Sequence, residues 1–235
     1  MIKGIYTSGS NLHSKVKNMD IVANNLANIN STGFKRELPF SEIIARLKDE
    51  NIKQLTDFTQ GTLLSTGNPL DIAISGEAFF VLETPDGMEY TKKGQFKISS
   101  EGDLVNEQGY KVLGKSGPIN LAAFQMEESN TITVTKDGEI KAGNIIVDEL
   151  QIVKLEDKKG LSRREGLNFS ISDGMYLEAE KETYEIQQGF IEESNVNPVL
   201  EMQAMIDINK EFESSQKVIS ALDNSLEKAI EVGKV

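Results

Sequence analysis

The residues from Val199 to Ile230 constrain this chain most. Apolar side chains recur at Met205, Ile208, Phe212, Ile219, Leu222, Leu226 and Ala229, in steps that alternate three and four, with only Ser215 breaking the series. That spacing is a heptad seam on one face of an α-helix. At 1.5 Å per residue the helix is roughly 48 Å long, more than the other elements of the chain can cover along its length. Such a stripe needs a partner. The start of the chain offers one, because Ile2, Ile5, Leu12, Val16, Met19, Ala23 and Leu26 keep the same alternation, with Gly9 in the remaining slot. The spacing therefore predicts a pair of terminal helices enclosing everything between them.

The 235 residues suffice to bury a core, and one body with a helical stem is the expected organisation. With 25 basic residues against 37 acidic, a net charge of -12 and no dense Lys/Arg cluster, the chain is a poor partner for nucleic acid. Cysteine is absent, which excludes disulfides, thiol nucleophiles and zinc–thiolate sites. The N-terminus lacks the apolar core and cleavage site of a secretory signal, and no run approaches the ~18 apolar residues of a membrane helix. Direct membrane insertion is not expected. The ordinary rules leave the chain in the cytoplasm, unless it is exported by a route that reads no such signal.

The first helical pattern dissolves at Asn28-Ile29-Asn30-Ser31-Thr32-Gly33, where Asn and Gly tolerate the left-handed conformation that ends helices. Asn24 and Asn25 lie just inside, where Asn is a poor helix former. They read either as an amide hydrogen-bond network at a packed joint or as a frayed last turn. In Phe34-Lys35-Arg36 the basic pair could meet an acidic partner but reads first as solvated surface, and Phe40, Ile43, Ile44 and Leu47 then fall at the spacing of a short amphipathic helix from Ser41 to Lys48. Asn51 to Pro69 is irregular and turn-rich, the joint between stem and body.

From Leu70 to about Ile191 the period changes to two. Leu70-Asp71-Ile72-Ala73-Ile74 alternates, Phe79-Phe80-Val81-Leu82 is a compact apolar run, and Pro85-Asp86-Gly87 turns the chain back. Further strands are expected around Phe96–Ile98, Leu104–Val105, Tyr110–Leu113, Thr131–Val134, Glu139–Lys141, Ile145–Leu155 and Tyr184–Gln188. Turns recur about every 8 to 12 residues, as in an antiparallel all-β body. The polar stretch from Glu156 to Glu165 reads as an exposed loop. The final helix begins near Asn197-Pro198: Asn can cap, Pro suits the first helical position, and Glu201 complements the helix dipole. The expected class is α+β, an antiparallel mainly-β central domain with long terminal helices pairing as a coiled-coil stem. Its parts are residues 1–34 (helix and cap), 35–69 (connecting segment), 70–191 (β-rich body) and 192–235 (C-terminal helix).

Catalytic patterns are few. Gly109-Tyr110-Lys111-Val112-Leu113-Gly114-Lys115-Ser116 matches the phosphate-loop expression G-x-x-x-x-G-K-[ST]. That motif works by wrapping backbone N–H groups around phosphate at the start of a helix. Here the middle residues read as a strand, and Gly117-Pro118 opposes a helix after the Ser. Nucleotide binding at 109–116 remains a remote alternative. His13 is the only histidine and reads as a surface or interface side chain. The acidic turns at Asp86, Asp103 and Asp137 lack calcium-loop spacing. Glu192-Glu193 and Glu178-Ala179-Glu180 read as solvated faces. No catalytic residue, cofactor or metal site is expected, and the chain is not read as an enzyme.

Two stretches at the ends do carry a pattern. Ala23-Asn24-Asn25-Leu26-Ala27-Asn28 through Thr32-Gly33-Phe34-Lys35-Arg36 resembles the N-terminal signature of bacterial flagellar rod and hook proteins, the axial components of the basal body. Gly189-Phe190-Ile191-Glu192-Glu193-Ser194-Asn195-Val196-Asn197-Pro198-Val199, with Glu201-Met202 and Met205-Ile206, resembles the family's C-terminal signature. Asn68 to Ile74, Gly76, Phe79-Phe80 and Thr91 to Phe96 resemble its β body. Tyr6, Gly117-Pro118-Ile119 and Asn197-Pro198-Val199 lean toward the proximal rod member, with the distal rod member as the close alternative.

The resemblance implies a structural subunit that leaves the cytoplasm through the flagellar type III export apparatus without a cleaved signal. It implies assembly with other rod subunits and with copies of itself into a helical tube crossing the periplasm, terminal helices inside and β body outside. The assembly interface it implies comprises Ile5, Leu12, Val16, Met19, Ala23, Asn24, Asn25, Leu26, Asn28, Gly33 and Phe34 at one end, and Met205, Ile208, Phe212, Ile219, Leu222 and Leu226 at the other. A secreted adhesin with a homodimeric stalk would leave both end signatures unexplained, and an enzyme would lack a site. In a free subunit the stem stripes lack neighbours and are expected to stay largely disordered until assembly. Amide exchange on the isolated chain should then show protection only from about Leu70 to Ile191; strong protection across residues 5 to 26 of a monomer would refute this.

Overall fold

A computed structural model of the chain describes residues 2–39, 42, 56–124, 132–155, 161–164, 167–171 and 176–232. Apart from Glu42, the helix expected from Ser41 to Lys48 lies outside the described residues, as does Thr131. The fold is α+β. It divides into two compact units, one formed by Asn30–Lys35 with Phe58–Asn195 and the other by Met1–Ile29, Arg36–Asp57 and Val196–Val235.

The first unit is antiparallel β in every pairing described. Its strands are β1 (Leu63–Ser65), β2 (Ile72–Gly76), β3 (Ala78–Thr84), β4 (Gly87–Thr91), β5 (Lys97–Ile98), β6 (Leu104–Val105), β7 (Lys111–Gly114), β8 (Gly117–Pro118) and β9 (Ile132–Val134). They continue with β10 (Glu139–Ala142), β11 (Ile145–Glu149), β12 (Ile152–Lys154), β13 (Leu161–Arg163), β14 (Phe169–Ile171), β15 (Leu177–Glu178), β16 (Tyr184–Gln188) and β17 (Phe190–Glu192). The largest sheet has the order β13-β14-β4-β3-β7-β6-β5, with β12, β15 and β8 attached off that path. β9, β10 and β11 form a meander, while β2 pairs with β16 and β1 with β17 as separate ribbons.

β3 organises this unit. From Ala78 to Leu82 it has no polar side chain to send to water, and all five residues are buried. Successive side chains point to opposite faces of a strand, so one run supplies two cores. Ala78, Phe80 and Leu82 join Ile72, Ile74, Phe96 and Val112; Phe79 and Val81 join Tyr90, Val153, Leu155 and Phe169. Phe80 meets Phe96 edge to face at 5.1 Å, the favoured geometry for aromatic quadrupoles. Pro85-Asp86 is a two-residue turn, with Thr84 paired to Gly87.

Two strand expectations change. Ile145 to Leu155 is two strands, because the chain changes sheets: β11 pairs with β10, and β12 pairs with β3. At the switch Leu150 N–H donates to the Gly138 carbonyl and Gln151 N–H to that of Leu113, so no backbone donor is stranded. The exposed loop expected from Glu156 to Glu165 is interrupted at Leu161–Arg163, which pairs with Phe169–Ile171. Its alternation spans only three residues, with Leu161 and Arg163 half-buried and Ser162 exposed, too short to register as a period.

The second unit contains α1 (Ile2–Ala27) and α2 (Pro198–Val232). Lys15 pairs with Glu211, and Asn25 hydrogen-bonds Glu201, so the helices contact each other running antiparallel. The Asn197 side chain accepts from the N–H groups of Val199 and Leu200, capping α2 ahead of Pro198. Along α2 the half-buried positions include Met205, Ile208, Phe212, Ser215, Ile219, Leu222 and Leu226. On α1 the expected stripe is not the buried face. Asn18, Val22 and Asn25 are buried, Leu12, Met19 and Leu26 are half-buried, and Val16 and Ala23 are exposed. The inward face is turned from the apolar stripe by about a quarter of a turn, because Asn25 has polar partners that only an inward amide can reach.

Close packing in the body is tested at Gly94. Its carbonyl accepts from Ile72 N–H at 2.8 Å, and a Cβ there would lie 1.6 Å from the Ile72 oxygen. Gly94→Ala should lower stability by about 1–3 kcal/mol in urea denaturation of the full chain; an unchanged midpoint would contradict this crossing.

Candidate functional site

The two end signatures meet in two charge clusters, one in each unit. In the β unit, Gly33 N–H donates to the Glu192 carbonyl at 2.7 Å. Gly33 has φ +69, and a Cβ would lie 2.8 Å from Lys93 N, so both its conformation and the space demand glycine. Phe34 is buried, with the Arg163 guanidinium 4.6 Å from its ring centroid. Lys35 reaches the interior. Its Nζ donates to Glu192 Oε1 at 2.5 Å and to the Thr59 carbonyl at 2.8 Å, and both charged side chains are 0% exposed. Glu192 Oε1 also accepts from Gly61 N–H at 2.8 Å. Arg163 donates to the Lys35 carbonyl, and the Asn195 amide donates to that of Thr59 at 3.0 Å.

In the helical unit, Asn25 binds the backbone of Glu37 in both directions. Its Nδ2 donates to the Glu37 carbonyl at 2.8 Å and its Oδ1 accepts from Glu37 N–H at 2.9 Å. The same Nδ2 lies 3.2 Å from Glu201 Oε2. Arg36 donates from Nε to Glu201 Oε1 and from a terminal nitrogen to Glu42 at 2.9 Å. Burial works against the Arg36 charge, but the hydrogen bonds to Glu201 and Glu42 outweigh it and hold the guanidinium above its ordinary pKa. Asn28 closes the end of α1, its amide donating to the Asn24 carbonyl at 2.9 Å. Asn24 itself is exposed.

Two expectations are corrected here, and one left open is decided. Lys35-Arg36 is not solvated surface: Lys35 is buried in an ion pair, and Arg36 is held by two carboxylates. Glu192 is likewise buried, although Glu193 beside it is exposed. Of the two readings of the asparagines, the amide network holds for Asn25, while Asn24 contributes backbone. Glu201, Gly61 and Arg163 complete these clusters without a local sequence signal. Lys35 and Glu192 are 157 residues apart, and no local pattern joins them.

A cleft of about 450 Å³ in the helical unit is lined by Lys15, Asn18, Arg36, Glu42, Asp207 and Glu211, among others. Lys15 and Arg36 are already bound to carboxylates. The phosphate-loop match is a hairpin, not a cradle. β7 turns at Lys115-Ser116 into β8, with Gly114 paired to Gly117. The Lys115 ammonium is occupied by Glu178 and Glu149, which raise its pKa. His13 is exposed on α1. Among the described residues no group of three or more His, Cys, Asp or Glu is placed to hold a metal, and no helix is long and apolar enough to cross a membrane.

Paired terminal helices, a β unit inserted between them in sequence, and end motifs spent on internal clasps define a structural subunit. The comparisons agree. Residues 5–35 match the family described as flagella basal body rod protein, 73–142 the flagellar hook protein FlgE/F/G D1 domain, and 187–232 the flagellar basal body rod FlgEFG protein C-terminal. The chain is 32% identical to the flagellar basal-body rod protein FlgF of Rhizobium meliloti, over 98% of each chain. It is 31% identical to FlgF of Caulobacter vibrioides, over 97% of this chain and 95% of the relative, and 26% identical to FlgG of Bacillus subtilis, over 98% of each. The chain belongs to the flagellar basal-body rod protein family.

The ion pair can be tested by breaking it and by replacing it. Lys35→Ala leaves an uncompensated buried carboxylate and should cost about 3–5 kcal/mol in chemical denaturation. Lys35→Met with Glu192→Leu, which removes both charges, should recover most of that loss. A cost below about 1 kcal/mol for Lys35→Ala, the range of exposed pairs, would contradict the burial.

Proposed function

We propose that this chain is a FlgF-like structural subunit of the flagellar basal-body rod, assembling through its terminal helices into an axial tube that transmits torque. The observation that carries this reading is the end-to-end match to FlgF, which includes both helices and both clasped signatures. The partners are other rod subunits and copies of this chain, reached through the type III export apparatus, and no catalysis is involved. The FlgG match, equally long, supports a distal-rod role as the second reading.

The two terminal helices form the coiled-coil stem. Met205, Ile208, Phe212, Ile219, Leu222 and Leu226 make the α2 side of the assembly surface, and Ile5, Leu12, Val16, Met19, Ala23 and Leu26 the α1 side. Asn24, Asn25, Asn28, Gly33 and Phe34 hold the joint that presents them. Half-burial of the α2 positions and of Leu12, Met19 and Leu26 on α1 supports this, since an incompletely covered seam gains more by meeting neighbours.

Basal bodies from a strain lacking this gene should have truncated or missing rods, restored by the wild-type copy. The truncation point separates proximal from distal rod, and intact rods with normal motility would overturn the reading. Leu222→Asp with Leu226→Asp should leave the β unit folded by circular dichroism yet abolish incorporation. Motility surviving both changes would show that the seam is not the assembly surface.

A further inference from the structure

The sequence holds three Asp-Gly pairs, Asp86-Gly87, Asp137-Gly138 and Asp173-Gly174, the last outside the described residues. Such a pair can rearrange without an enzyme. The glycine nitrogen attacks the neighbouring carboxyl carbon, and glycine has no side chain to crowd the approach. The N–Cγ bond forms as the amide proton and the carboxyl hydroxyl leave as water, closing a succinimide. Water then opens the ring at either carbonyl, returning aspartate or giving isoaspartate, whose backbone runs through the side-chain methylene. One water leaves and one returns, and nothing is oxidised or reduced. The attack needs the backbone between the two residues to rotate, so the ease of local opening governs the rate.

The two described pairs are alike in sequence and sit in opposite surroundings. Asp137-Gly138 is built into the body. Gly138 is buried, its N–H donates to the Thr135 carbonyl at 3.0 Å, and its carbonyl accepts from Leu150 N–H at 2.8 Å. The Asp137 carbonyl accepts from the Tyr184 hydroxyl at 3.3 Å, so rotation here would break contacts to several segments together. Asp86-Gly87 is at the free tip of the β3–β4 hairpin, where Pro85, Asp86, Gly87 and Met88 are all exposed. No atom lies within 4 Å of the place a Cβ on Gly87 would take. Gly87 pairs with Thr84 as the last rung of that ladder, and the Thr84 hydroxyl donates to its carbonyl at 2.8 Å. A terminal rung at an exposed tip opens far more readily than a buried turn.

We propose that Asp86-Gly87 is a site of spontaneous isoaspartate formation in the folded chain, and that packing protects Asp137-Gly138 from the same reaction. The place gives the modification its leverage. The two-residue turn fixes the register of β3 against β4, and β3 supplies both cores of the β unit. An added backbone methylene no longer fits a two-residue connection, so the damage begins at the strand on which the unit is built. None of this depends on the rod-subunit reading.

The test ages the full-length protein in warm, mildly acidic buffer, once folded and once in urea, and locates isoaspartate by peptide separation and fragmentation. Folded protein should carry about tenfold more isoaspartate at position 86 than at 137, whereas in urea the two pairs should convert at similar rates. Asp86→Glu, whose attack would have to close a larger ring, should remove the product at 86 and leave conversion at 137 unchanged. Aged wild-type protein should also unfold at lower urea than fresh protein, and aged Asp86→Glu protein should not. Equal conversion of both pairs in the folded chain, or one ratio in folded and unfolded protein alike, overturns the proposal. An equal loss of stability in aged wild type and aged Asp86→Glu overturns the leverage assigned to this turn.

Discussion

A lysine and a glutamate with no exposed side-chain atoms set the terms for the β unit. Moving each charge out of water costs several kcal/mol, and mutual attraction offsets that only when further hydrogen bonds complete the site. The surroundings of Lys35 and Glu192 do so in part, since both hydrogen bonds to the carboxylate reach Oε1 and its buried Oε2 has no hydrogen-bond partner among the described residues. The Thr59 carbonyl takes a second proton of the ammonium, and Gly61 N–H reaches the carboxylate. Gly61 can come so close only without a side chain, since a Cβ would lie 2.1 Å from the Glu193 carbonyl. The pair therefore ties down segments near residues 33–35, 59–61 and 192 that are far apart in sequence. Arg36, the next residue, belongs to the other unit and its own carboxylates.

Much of the architecture was legible because it follows from period. The two-residue alternation from Leu70 onward, the apolar run of β3 and the turn chemistry at Pro85-Asp86 each act locally, and each produced the element expected. The α2 stripe likewise reappears as its half-buried positions. The α1 face was not legible, because counting apolar residues cannot see a helix that turns asparagines inward. Asn18 and Asn25 are buried while Val16 and Ala23 are exposed, the reverse of what side-chain polarity predicts. Lys35 was misread for a related reason. A buried lysine looks the same in sequence as an exposed one, and the carboxylate that makes burial tolerable lies in the last strand of the β unit.

Polar groups on the inward face of α1 have a cost and a use. A purely apolar seam tolerates several axial alignments of similar energy, whereas a buried amide or carboxylate is satisfied in few of them. Asn25 meets both the Glu37 backbone and Glu201, and Glu201 also holds Arg36. A slip of α1 along α2 by one turn would separate these groups together. The position of one helix against the other is thus specified by hydrogen bonds at one end, leaving apolar residues elsewhere on α1 unspent.

The division of the chain has a mechanical meaning. The backbone passes between the two units four times, at 29/30, 35/36, 57/58 and 195/196. Two of the segments next to them, Gly33–Lys35 and Glu192–Asn195, are clasped to each other by backbone hydrogen bonds and a buried ion pair. A pull on either of these two segments is therefore shared by both where they enter the β unit, the way plies twisted into one cord share a load that each would otherwise bear alone.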